Sequence, residues 1–413
     1  MKAWILSIGN ELLKGYTVNS NASVIASSLT EIGVKVEKIL TVADNEDDIL
    51  WALEQAYRNS SLAISTGGLG PTSDDVTKQT LCKFFNTSLI FDELIWQHIQ
   101  QLFQRRNQVA PNINKEQAMV PSQAKIFHNE LGTAPALLLQ KNHFRYIALP
   151  GVPFEMQHIL NTKVIPFLRQ HFTLNPPNVE TFLFSGISES ALAEKLTALD
   201  ADLRQHSVML AYLPQPGLIK LKIFYHQTNE ALACVNKFRN FANTFLSDYL
   251  IYNEDLPLAQ IVKNIMVQKK LTLVVAESCT GGYLSHLITS IPGSSQYFLG
   301  SFVVYSNQLK QTALNVPETI LNTTGAVSEE TVVQLASEAQ KLSKSDYSIA
   351  ISGIAGPDGG TPTKPVGTVW IAIADHHSIE AQRYLLGKDR LANIQHAAQL
   401  ALANLIRKLN HIV

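Results

Sequence analysis

Short apolar runs that end in glycine and small polar residues recur along this chain, and segments with helical spacing separate them. The first 170 residues alternate between predicted strands and helices, in the order 5–8, 21–32, 34–40, 47–58 and 62–65. A later alternation begins near residue 255 and ends in a predicted helix at 389–409. Alternation of this kind favours parallel sheets covered by helices on both faces. It predicts α/β domains whose ligands bind beyond the carboxyl ends of the strands.

A proline pair at 176–177 separates the two alternating regions, because adjacent prolines stop regular structure and stiffen a connector. Residues 179–250 then show a strand, a helix, two strands and a second helix, which predicts a small α+β module. At 413 residues the chain has room for two or three domains. We predict three, at residues 1–174, 175–252 and 253–413.

The composition is that of a globular protein, 46% hydrophobic and 16% charged, with a formal net charge of −1 and a pI near 6.9. A near-neutral surface argues against the basic patches of ordinary nucleic-acid-binding proteins. The three cysteines are odd in number and lack metal-type spacing, which fits a reducing cytoplasm. The apolar start of the chain ends too early for a signal peptide, and no run approaches the ~20 apolar residues of a membrane span. We therefore expect a cytoplasmic protein.

The segment 276–282, Ala-Glu-Ser-Cys-Thr-Gly-Gly, follows the apolar run 271–275. A strand that leads into a helix here would place the hydroxyls of Ser278 and Thr280 at the helix N-terminus, where free backbone N–H groups attract an anion. Gly281 and Gly282 would let a phosphate approach the backbone closely. The alternative is a purely structural strand-turn-helix capped by Ser278.

Two further short motifs, at 305–310 and 352–360, add a tyrosine, a lysine and a second glycine-rich turn. Serine, tyrosine and lysine without a histidine partner indicate a hydrolase that uses lysine as its base. Such a lysine must be neutral near pH 7, which requires its pKa to fall by roughly three units, or about 4 kcal/mol. Burial or a nearby cation can lower that pKa, and Arg390 is the candidate cation. Cys279 competes with Ser278 as nucleophile, and only one of these neighbours can face the ligand.

The strongest motif of the first domain is the segment 65–77, Ser-Thr-Gly-Gly-Leu-Gly-Pro-Thr-Ser-Asp-Asp-Val-Thr. Glycines after a buried strand leave backbone N–H groups for an anion, and Asp74 and Asp75 would hold a hydrated divalent cation against phosphates. Neither a Walker-type nor a Rossmann glycine motif occurs in the chain, so those two nucleotide sites are unsupported. The alternative is an Asp-rich helix cap on a glycine-rich turn.

These motifs, together with segments 325–329 and 352–367, resemble those of the CinA family. The resemblance covers residues 255–413 and also residues 1–170. It implies an N-terminal molybdopterin-binding-like three-layer α/β domain, a small α+β KH-like middle module and a C-terminal α/β deamidase domain. In the first domain the resemblance also rests on segment 9–15, Asn19, Asn21, Asp44, Asn114 and segments 132–135 and 149–153.

For the C-terminal domain the resemblance implies a nicotinamide mononucleotide deamidase of pyridine-nucleotide salvage that needs no cofactor. Ser278 would be the nucleophile, Lys310 its base, and Tyr305 the residue that relays or orients the proton, whereas Cys279 would serve packing. Ser352 stands where the family usually has threonine, so the hydroxyl is kept. The implied substrate contacts are Thr280, Gly281, Gly282, Ser295, Asn307, Ser352, Gly353 and Arg390.

For the first domain the resemblance implies a metal-dependent ADP-ribose pyrophosphatase, with a divalent metal such as Mg²⁺ at Asp74 and Asp75. Relatives usually carry glycine where this chain has Ala136, and we expect the extra methyl group to crowd the pocket. The implied nucleotide site comprises Glu11, Asn19, Asn21, Asp44, Gly67, Gly68, Gly70 and Thr77.

The middle module lacks the Gly-x-x-Gly loop with which KH domains clamp RNA; the nearest match is the segment 186–189. This favours a spacer or dimerisation role, and the resemblance implies a homodimer that binds small-molecule nucleotides, without membrane or direct nucleic-acid contacts. Two other functions stay open. One is a pterin- or nucleotide-binding module without turnover, and the other is a competence or DNA-damage accessory protein that acts through partner contacts.

Overall fold

A computed structural model describes residues 1–72 and 75–410 of the chain. The chain divides into two compact units, residues 1–177 and 178–413, with the boundary at the predicted proline pair. The predicted middle module and C-terminal domain both lie in the second unit, and their separation into two domains stays a prediction.

The first unit alternates strands and helices as predicted. Its strands are β1 (Lys2–Ile8), β2 (Lys35–Val42), β3 (Leu62–Thr66), β4 (Leu89–Phe91), β5 (Met119–Pro121), β6 (Lys125–Phe127), β7 (Ala136–Lys141) and β8 (Phe144–Leu149). Its helices are α1 (Asn10–Leu13), α2 (Ser20–Glu31), α3 (Glu46–Asn59), α4 (Thr77–Phe85), α5 (Glu93–Gln104), α6 (Pro153–Ile159) and α7 (Ile165–His171). A 3₁₀ helix covers Asn112–Ala118, and a π-helical turn at Leu160–Val164 joins α6 to α7.

The main sheet of this unit has the strand order β2-β1-β3-β8-β7-β6. The first four strands are parallel, and β7 and β6 run antiparallel to their neighbours. Every residue of β3 is buried, and Ala63 packs in one hydrophobic core whereas its neighbours Leu62 and Ile64 pack in another. Because neighbouring strand residues point to opposite faces, both faces of the sheet are covered. This is the three-layer α/β arrangement that we predicted.

The second unit begins with an antiparallel sheet of strand order β10-β11-β9-β12, backed by two long helices. Its elements are β9 (Asn178–Phe184), α8 (Glu189–Gln205), β10 (Met209–Gln215), β11 (Leu218–Tyr225), α9 (Asn229–Phe245) and β12 (Leu250–Tyr252). Ser188 and Thr228 cap the two helices by accepting backbone N–H bonds. The α+β prediction is confirmed by this sheet, and the fourth strand, β12, is an addition to it.

The rest of the second unit forms a five-stranded sheet of order β14-β13-β15-β16-β17. Its strands are β13 (Leu273–Glu277), β14 (Phe298–Val303), β15 (Tyr347–Gly353), β16 (Thr368–Ala374) and β17 (Ile379–Leu385). Its helices are α10 (Leu258–Lys269), α11 (Tyr283–Thr289), α12 (Asn307–Leu314), α13 (Glu318–Thr323), α14 (Glu329–Ser343) and α15 (Arg390–Asn410), with a 3₁₀ turn at Ser294–Gln296. Strands β14, β13 and β15 are parallel, whereas β16 and β17 extend the sheet as antiparallel strands.

Across the part of the chain that the structure describes, no helix combines the length and the apolar character needed to cross a bilayer. The thiols of Cys82, Cys234 and Cys279 are all unpaired.

Candidate active site

Three parallel strands of the C-terminal sheet end at one edge, and one of the three short motifs found in the sequence lies at the end of each strand. Glu277 at the end of β13 lies opposite Val303 of β14 and Ile351 of β15. The antiparallel strand β16 begins at this same edge, and β17 returns to it before the chain reaches Arg390. The sheet therefore brings together segments that are more than 100 residues apart in sequence, at the carboxyl ends of parallel strands where α/β proteins bind their ligands.

At this edge the side chains of Ser278 and Lys310 are in direct contact. The Lys310 Nζ donates to Ser278 Oγ over 3.0 Å, and the two side chains come from the β13–α11 turn and from α12. Ser278 is 7% exposed and Lys310 only 1% exposed. Ser306 caps α12 by accepting the N–H of Leu309, which fixes the first turn of the helix that carries Lys310.

The Lys310 amine also donates to the backbone carbonyls of Val304 and Tyr305, over 2.9 and 3.0 Å. Burial lowers the pKa of Lys310 below its ordinary value, since a low-dielectric environment disfavours the charged amine. A neutral amine has two N–H groups and one lone pair. If the two carbonyls take the N–H groups, the lone pair points at the Ser278 hydroxyl.

Arg390, the candidate cation, is engaged elsewhere in the site. Its guanidinium donates to the carbonyl of Gly356 over 2.6 Å and to the hydroxyl of Tyr305 over 3.0 Å. Of the two causes that the sequence left open, burial is therefore the one that lowers the pKa of Lys310. Tyr305 is 56% exposed and reaches Lys310 through its backbone carbonyl, not through its hydroxyl. The Tyr305 hydroxyl lies at the rim of the site, beside Arg390.

Cys279 lies in the hydrophobic core behind the turn. It is 7% exposed, and burial raises the pKa of its thiol to about 12, which disfavours the nucleophilic thiolate. A Cβ atom on Gly353 would lie only 3.1 Å from Cys279 Sγ, so the glycine leaves room for the sulfur atom. This geometry favours Ser278 over Cys279 as the side chain that faces a ligand.

Glu277 occupies the N-terminus of α11, a role that we did not predict from the sequence. Its buried carboxylate accepts the N–H groups of Gly282, Leu284 and Ser285, over 3.1, 3.0 and 2.9 Å, and the Ser285 hydroxyl. The expectation of free N–H groups for an anion at this helix start is therefore wrong at those three positions. A glutamate at the end of an otherwise apolar strand was the only signal of this role.

The implied substrate contacts divide into groups. Thr280 is 3% exposed, and no partner for its hydroxyl is found among the described residues. Gly281 and Gly282 have positive φ angles, and a Cβ atom on Gly281 would meet open space. Ser352 donates to the carbonyl of Ala326, so its hydroxyl holds the 325–329 loop.

Asn307 and Ser295 differ in their position relative to this cluster. Asn307 is an exposed residue in the first turn of α12. Ser295 precedes β14, whose first residue pairs with the first residue of β13, so Ser295 lies at the amino edge of the sheet. The reason is the helical crossover, which returns the chain to that edge between two parallel strands. Within one protomer, Ser295 is therefore not part of the Ser278–Lys310 cluster.

The first unit has a corresponding cavity beyond the carboxyl ends of β1, β2, β3 and β8. Its volume is about 500 Å³, and predicted residues that line it are Glu11, Asp44, Gly67, Gly68, Gly70 and Asp75. A smaller adjoining cavity of about 100 Å³ includes Asn19 and Asn21 in its lining and shares Glu11 and Gly67 with the larger one.

Several of the predicted residues build the walls of these cavities through hydrogen bonds. Asn19 caps α2, and Asn21 donates to the Thr66 hydroxyl and to the Gly151 carbonyl over 2.9 and 2.8 Å. The oxygen of that amide, Asn21 Oδ1, is buried and has no partner among the described residues. Thr77 is fully buried beside Gly68. A Cβ atom on Gly68 would lie only 2.0 Å from the Thr77 hydroxyl, so the glycine leaves room for the threonine.

Asp75 holds its own loop together. One carboxylate oxygen accepts the N–H of Gly70 over 2.9 Å, and the other accepts the N–H and hydroxyl of Thr72 over 2.9 and 2.6 Å. These bonds occupy the oxygens that we assigned to a metal. Asp74, the other predicted metal ligand, lies outside the described residues.

Glu155, on α6, is a further lining residue that we did not predict. Burial raises the pKa of its carboxyl group, and the Asn129 amide donates to it over 2.6 Å. Ala136, by contrast, is fully buried in the hydrophobic core at the start of β7 and is not among the lining residues. The expected crowding of the pocket by its methyl group is therefore wrong.

Comparisons with known proteins agree with this architecture. Residues 255–409 match the CinA C-terminal domain, and residues 4–170 match the family described as "probable molybdopterin binding domain". A CinA-like protein of Cytophaga hutchinsonii is 39% identical, over 98% of this chain and 97% of the relative. A CinA-like protein of Flavobacterium psychrophilum is 36% identical, over 99% of each chain.

Among solved structures, the competence damage-inducible protein A of Klebsiella pneumoniae is 33% identical. The match covers 37% of this chain and 96% of that one, with a TM-score of 0.37. Two relatives above 30% identity align over nearly the whole length of both partners. The chain is a member of the CinA family.

Proposed function

We propose that the C-terminal part of the chain hydrolyses the amide of nicotinamide mononucleotide, giving nicotinic acid mononucleotide and ammonia. The observation that carries this proposal is the 3.0 Å contact between Ser278 Oγ and the buried amine of Lys310. A buried lysine beside a serine hydroxyl is the arrangement that a Ser–Lys hydrolase requires. The choice of substrate rests on the likeness of the surrounding motifs to those of the CinA deamidases.

In the first half-reaction, the neutral amine of Lys310 removes the proton of Ser278 as Oγ attacks the carboxamide carbon. The carbonyls of Val304 and Tyr305 hold two N–H groups of the amine, which keeps its lone pair aimed at Oγ. The Lys310 ammonium then gives a proton to the leaving nitrogen, and ammonia departs from an acyl-enzyme. A water molecule activated by the neutral lysine hydrolyses that ester and restores Ser278.

Residues around this pair are placed to hold the substrate. The buried Thr280 hydroxyl has a hydrogen-bonding capacity that the described residues do not use, and burying it unpaired would cost about 1–3 kcal/mol. We assign it to the substrate, two residues from the nucleophile. Arg390, fixed at the rim by Tyr305 and Gly356, is the cation available for the phosphate.

The test is ammonia release from nicotinamide mononucleotide by the purified full chain across pH 6–9, with Ser278→Ala as the control. We expect turnover in the wild type and none above background in the variant. A folded wild-type protein that releases no ammonia would rule out this function. Turnover of a different nucleotide amide would keep the chemistry and change the substrate.

The first unit offers a second candidate activity, hydrolysis of ADP-ribose, because its cavity is large and acidic. The lining includes the carboxylates of Glu11, Asp44, Asp75 and Glu155, and none of the lining residues that the structure describes is lysine or arginine. Such a cavity repels phosphates unless a cation is bound there, and carboxylate oxygens are the donors that Mg²⁺ prefers.

The donor set therefore fits a divalent metal. Glu11, Asp44 and Asp75 are the carboxylates that would hold it, with several waters retained on the ion; Asp75 already accepts three hydrogen bonds, and Asp44 accepts the N–H of Asn10. A bound Mg²⁺ would neutralise the charge of the phosphates, and the glycine-rich wall at 67–70 would let them approach.

Excess chelator should abolish ADP-ribose hydrolysis and leave ammonia release unchanged in the same sample. Equal ADP-ribose turnover with chelator, or no turnover with Mg²⁺, would contradict the metal role or the activity itself.

A further inference from the structure

Helices α8 and α9 of the second unit bring together one side chain each of aspartate, histidine and cysteine. Asp202 and His206 lie one turn apart on α8, and Cys234 faces them from α9. A carboxylate oxygen, a ring nitrogen and the Sγ atom all lie within 4.8 Å of one another. The cysteine spacing gave no sign of a metal site, because the ligands come from two helices that meet only in the folded chain.

The separation is close to that of a metal centre. Three atoms within 4.8 Å of one another have a common point about 2.8 Å or less from each, whereas zinc bonds to nitrogen, oxygen and sulfur are about 2.0–2.3 Å long. Side-chain movements of less than about 1 Å would therefore bring all three ligand atoms onto one ion. The ligands also suit the ion, since a thiolate and an imidazole select zinc-like metals over magnesium or calcium.

The hydrogen bond of the histidine fits this role. His206 Nδ1 lies 2.9 Å from the backbone carbonyl of Asp202, and a carbonyl can only accept, so Nδ1 carries the proton. The same nitrogen lies 3.5 Å from Asp202 Oδ1, so in the neutral ring the lone pair that could bind an ion is on Nε2. Metal-binding histidines commonly donate their other ring N–H to a backbone carbonyl, which fixes the tautomer and the ring orientation.

The solvent exposure of the three side chains and the charge around them also fit a metal site. Cys234 is 4% exposed, whereas the side chains of His206 and Asp202 are 35% and 33% exposed, so an ion can arrive from solvent and bind the thiol beneath. The ammonium of Lys237 pairs with Asp202 over 3.0 Å. This side of α8 therefore already attracts a cation.

We propose that Asp202, His206 and Cys234 bind a zinc-like divalent metal ion that ties α8 to α9. The ion would have three protein ligands and a water molecule in the fourth position. The same three residue types also occur in cysteine-based nucleophilic sites. Here the thiol is almost fully buried, so a substrate carbonyl cannot reach it, whereas a metal ion can.

The test uses Co²⁺ as a spectroscopic substitute for zinc, added to the full chain under reducing conditions. We expect one equivalent to give a thiolate-to-metal charge-transfer band, which Co²⁺ at the carboxylates of the first unit cannot give, and we expect Zn²⁺ to abolish the band. The band should disappear in Cys234→Ser and persist in the matched control Cys82→Ser, which removes another free thiol. A folded wild-type protein without the band, or a band that survives in Cys234→Ser, would overturn the proposal.

The competing lysine gives an independent check. Lys237→Gln removes the cation that occupies Asp202, so Co²⁺ should bind about two- to fivefold more tightly, the usual strength of an exposed ion pair. An unchanged or weaker affinity would place the metal away from Asp202 and overturn the three-residue site. The readout is binding of the ion alone and does not depend on any activity of the protein.

Discussion

At the scale of single residues, the chemistry depends on an amine that is both buried and hydrogen-bonded. Lys310 is 1% exposed, and burial lowers its pKa, yet it still has three oxygen partners at 2.9–3.0 Å. The two carbonyls orient the amine whether it is charged or neutral. The Ser278 hydroxyl can accept from the charged form and donate to the neutral one. Lys310 is therefore suited to act first as base and then as acid.

Lys310→Arg should abolish this cycle without removing the positive charge. A guanidinium does not deprotonate near neutral pH, because its pKa exceeds ~12. We expect kcat to fall at least ~100-fold while nucleotide still binds, measured by ammonia release and by calorimetric titration. In the wild type, kcat/KM should rise with pH through the depressed lysine pKa, since only the neutral amine is a base. Cys279→Ala is the matched control and should stay within a few-fold of wild type; if it is inactive and Lys310→Arg is active, a cysteine mechanism replaces ours.

Tyr305→Phe should separate the two contacts of this residue. The backbone carbonyl that accepts from Lys310 remains, whereas the hydroxyl that holds Arg390 is lost. We therefore expect kcat to change by only a few-fold and KM to rise, in steady-state kinetics with nicotinamide mononucleotide. A large fall in kcat with an unchanged KM would instead show that the hydroxyl takes part in proton transfer.

At the scale of elements, the β13–α11 turn is held by one buried carboxylate. Glu277 satisfies three backbone N–H groups and one hydroxyl at the start of α11, while Ser278 follows it directly. The helix start therefore positions Ser278, the proposed nucleophile, and is not itself an anion site. A seven-residue helix with no such cap would leave these donors without partners.

Glu277→Gln keeps the size of the side chain but turns one oxygen into a donor that faces backbone N–H groups. We expect the free energy of unfolding to fall by about 1–3 kcal/mol, because buried donors lose their acceptor. We also expect a lower kcat, because the turn that carries Ser278 loosens. Chemical denaturation and ammonia release measure the two effects. The control is Glu318→Gln, an exposed glutamate in the first turn of α13, which should be nearly neutral.

The sequence predicted the sheets and their functional edges because apolar runs and glycine-rich turns are local signals. Ser278 and Lys310 were singled out in this way, and Gly67 follows a buried strand in the same pattern, whereas Glu11 came from a motif that resembles the CinA family. The role of Glu277 could not be predicted, because the sequence alone does not show where α11 begins and hence which N–H groups this carboxylate would accept. The direction of the Tyr305 hydroxyl and the meeting of Cys234 with His206 depend on side-chain packing between elements. Within one protomer Ser295 lies at the amino edge of the sheet, and sequence neighbours do not reveal which sheet edge a turn occupies.

At the scale of the whole molecule, each unit has its candidate site at the carboxyl ends of parallel strands, but the side chains at the two sites differ in charge. The cavity of the first unit is lined by acidic side chains, whereas the guanidinium of Arg390 lies at the site of the second. Phosphates would therefore need a metal in one unit and not in the other. A formal net charge of −1 for the chain hides this contrast.

The second unit also shows how far the Ser278–Lys310 site depends on the rest of the chain. Leu183, Leu218 and Ile251 belong to the same hydrophobic core as residues of α10, β13 and α15, although they come from the antiparallel sheet that precedes them. Arg407 of α15 donates to the carbonyl of Ser185 over 2.6 Å. A fragment that starts at residue 255 would expose the apolar surface that these residues cover.

We therefore expect two fragments to differ in stability more than in chemistry. Residues 178–413 should fold and release ammonia at the rate of the full chain, because they keep this core intact. Residues 255–413 should also be active, since Ser278, Lys310 and their hydrogen-bond partners all remain. Their melting temperature should be lower by at least about 4 °C, which corresponds to a loss of 1–2 kcal/mol in a domain of this size. Thermal unfolding and ammonia release on both fragments test this. An inactive 255–413 fragment that is folded, beside an active 178–413, would show that the antiparallel sheet contributes to the site and not only to stability.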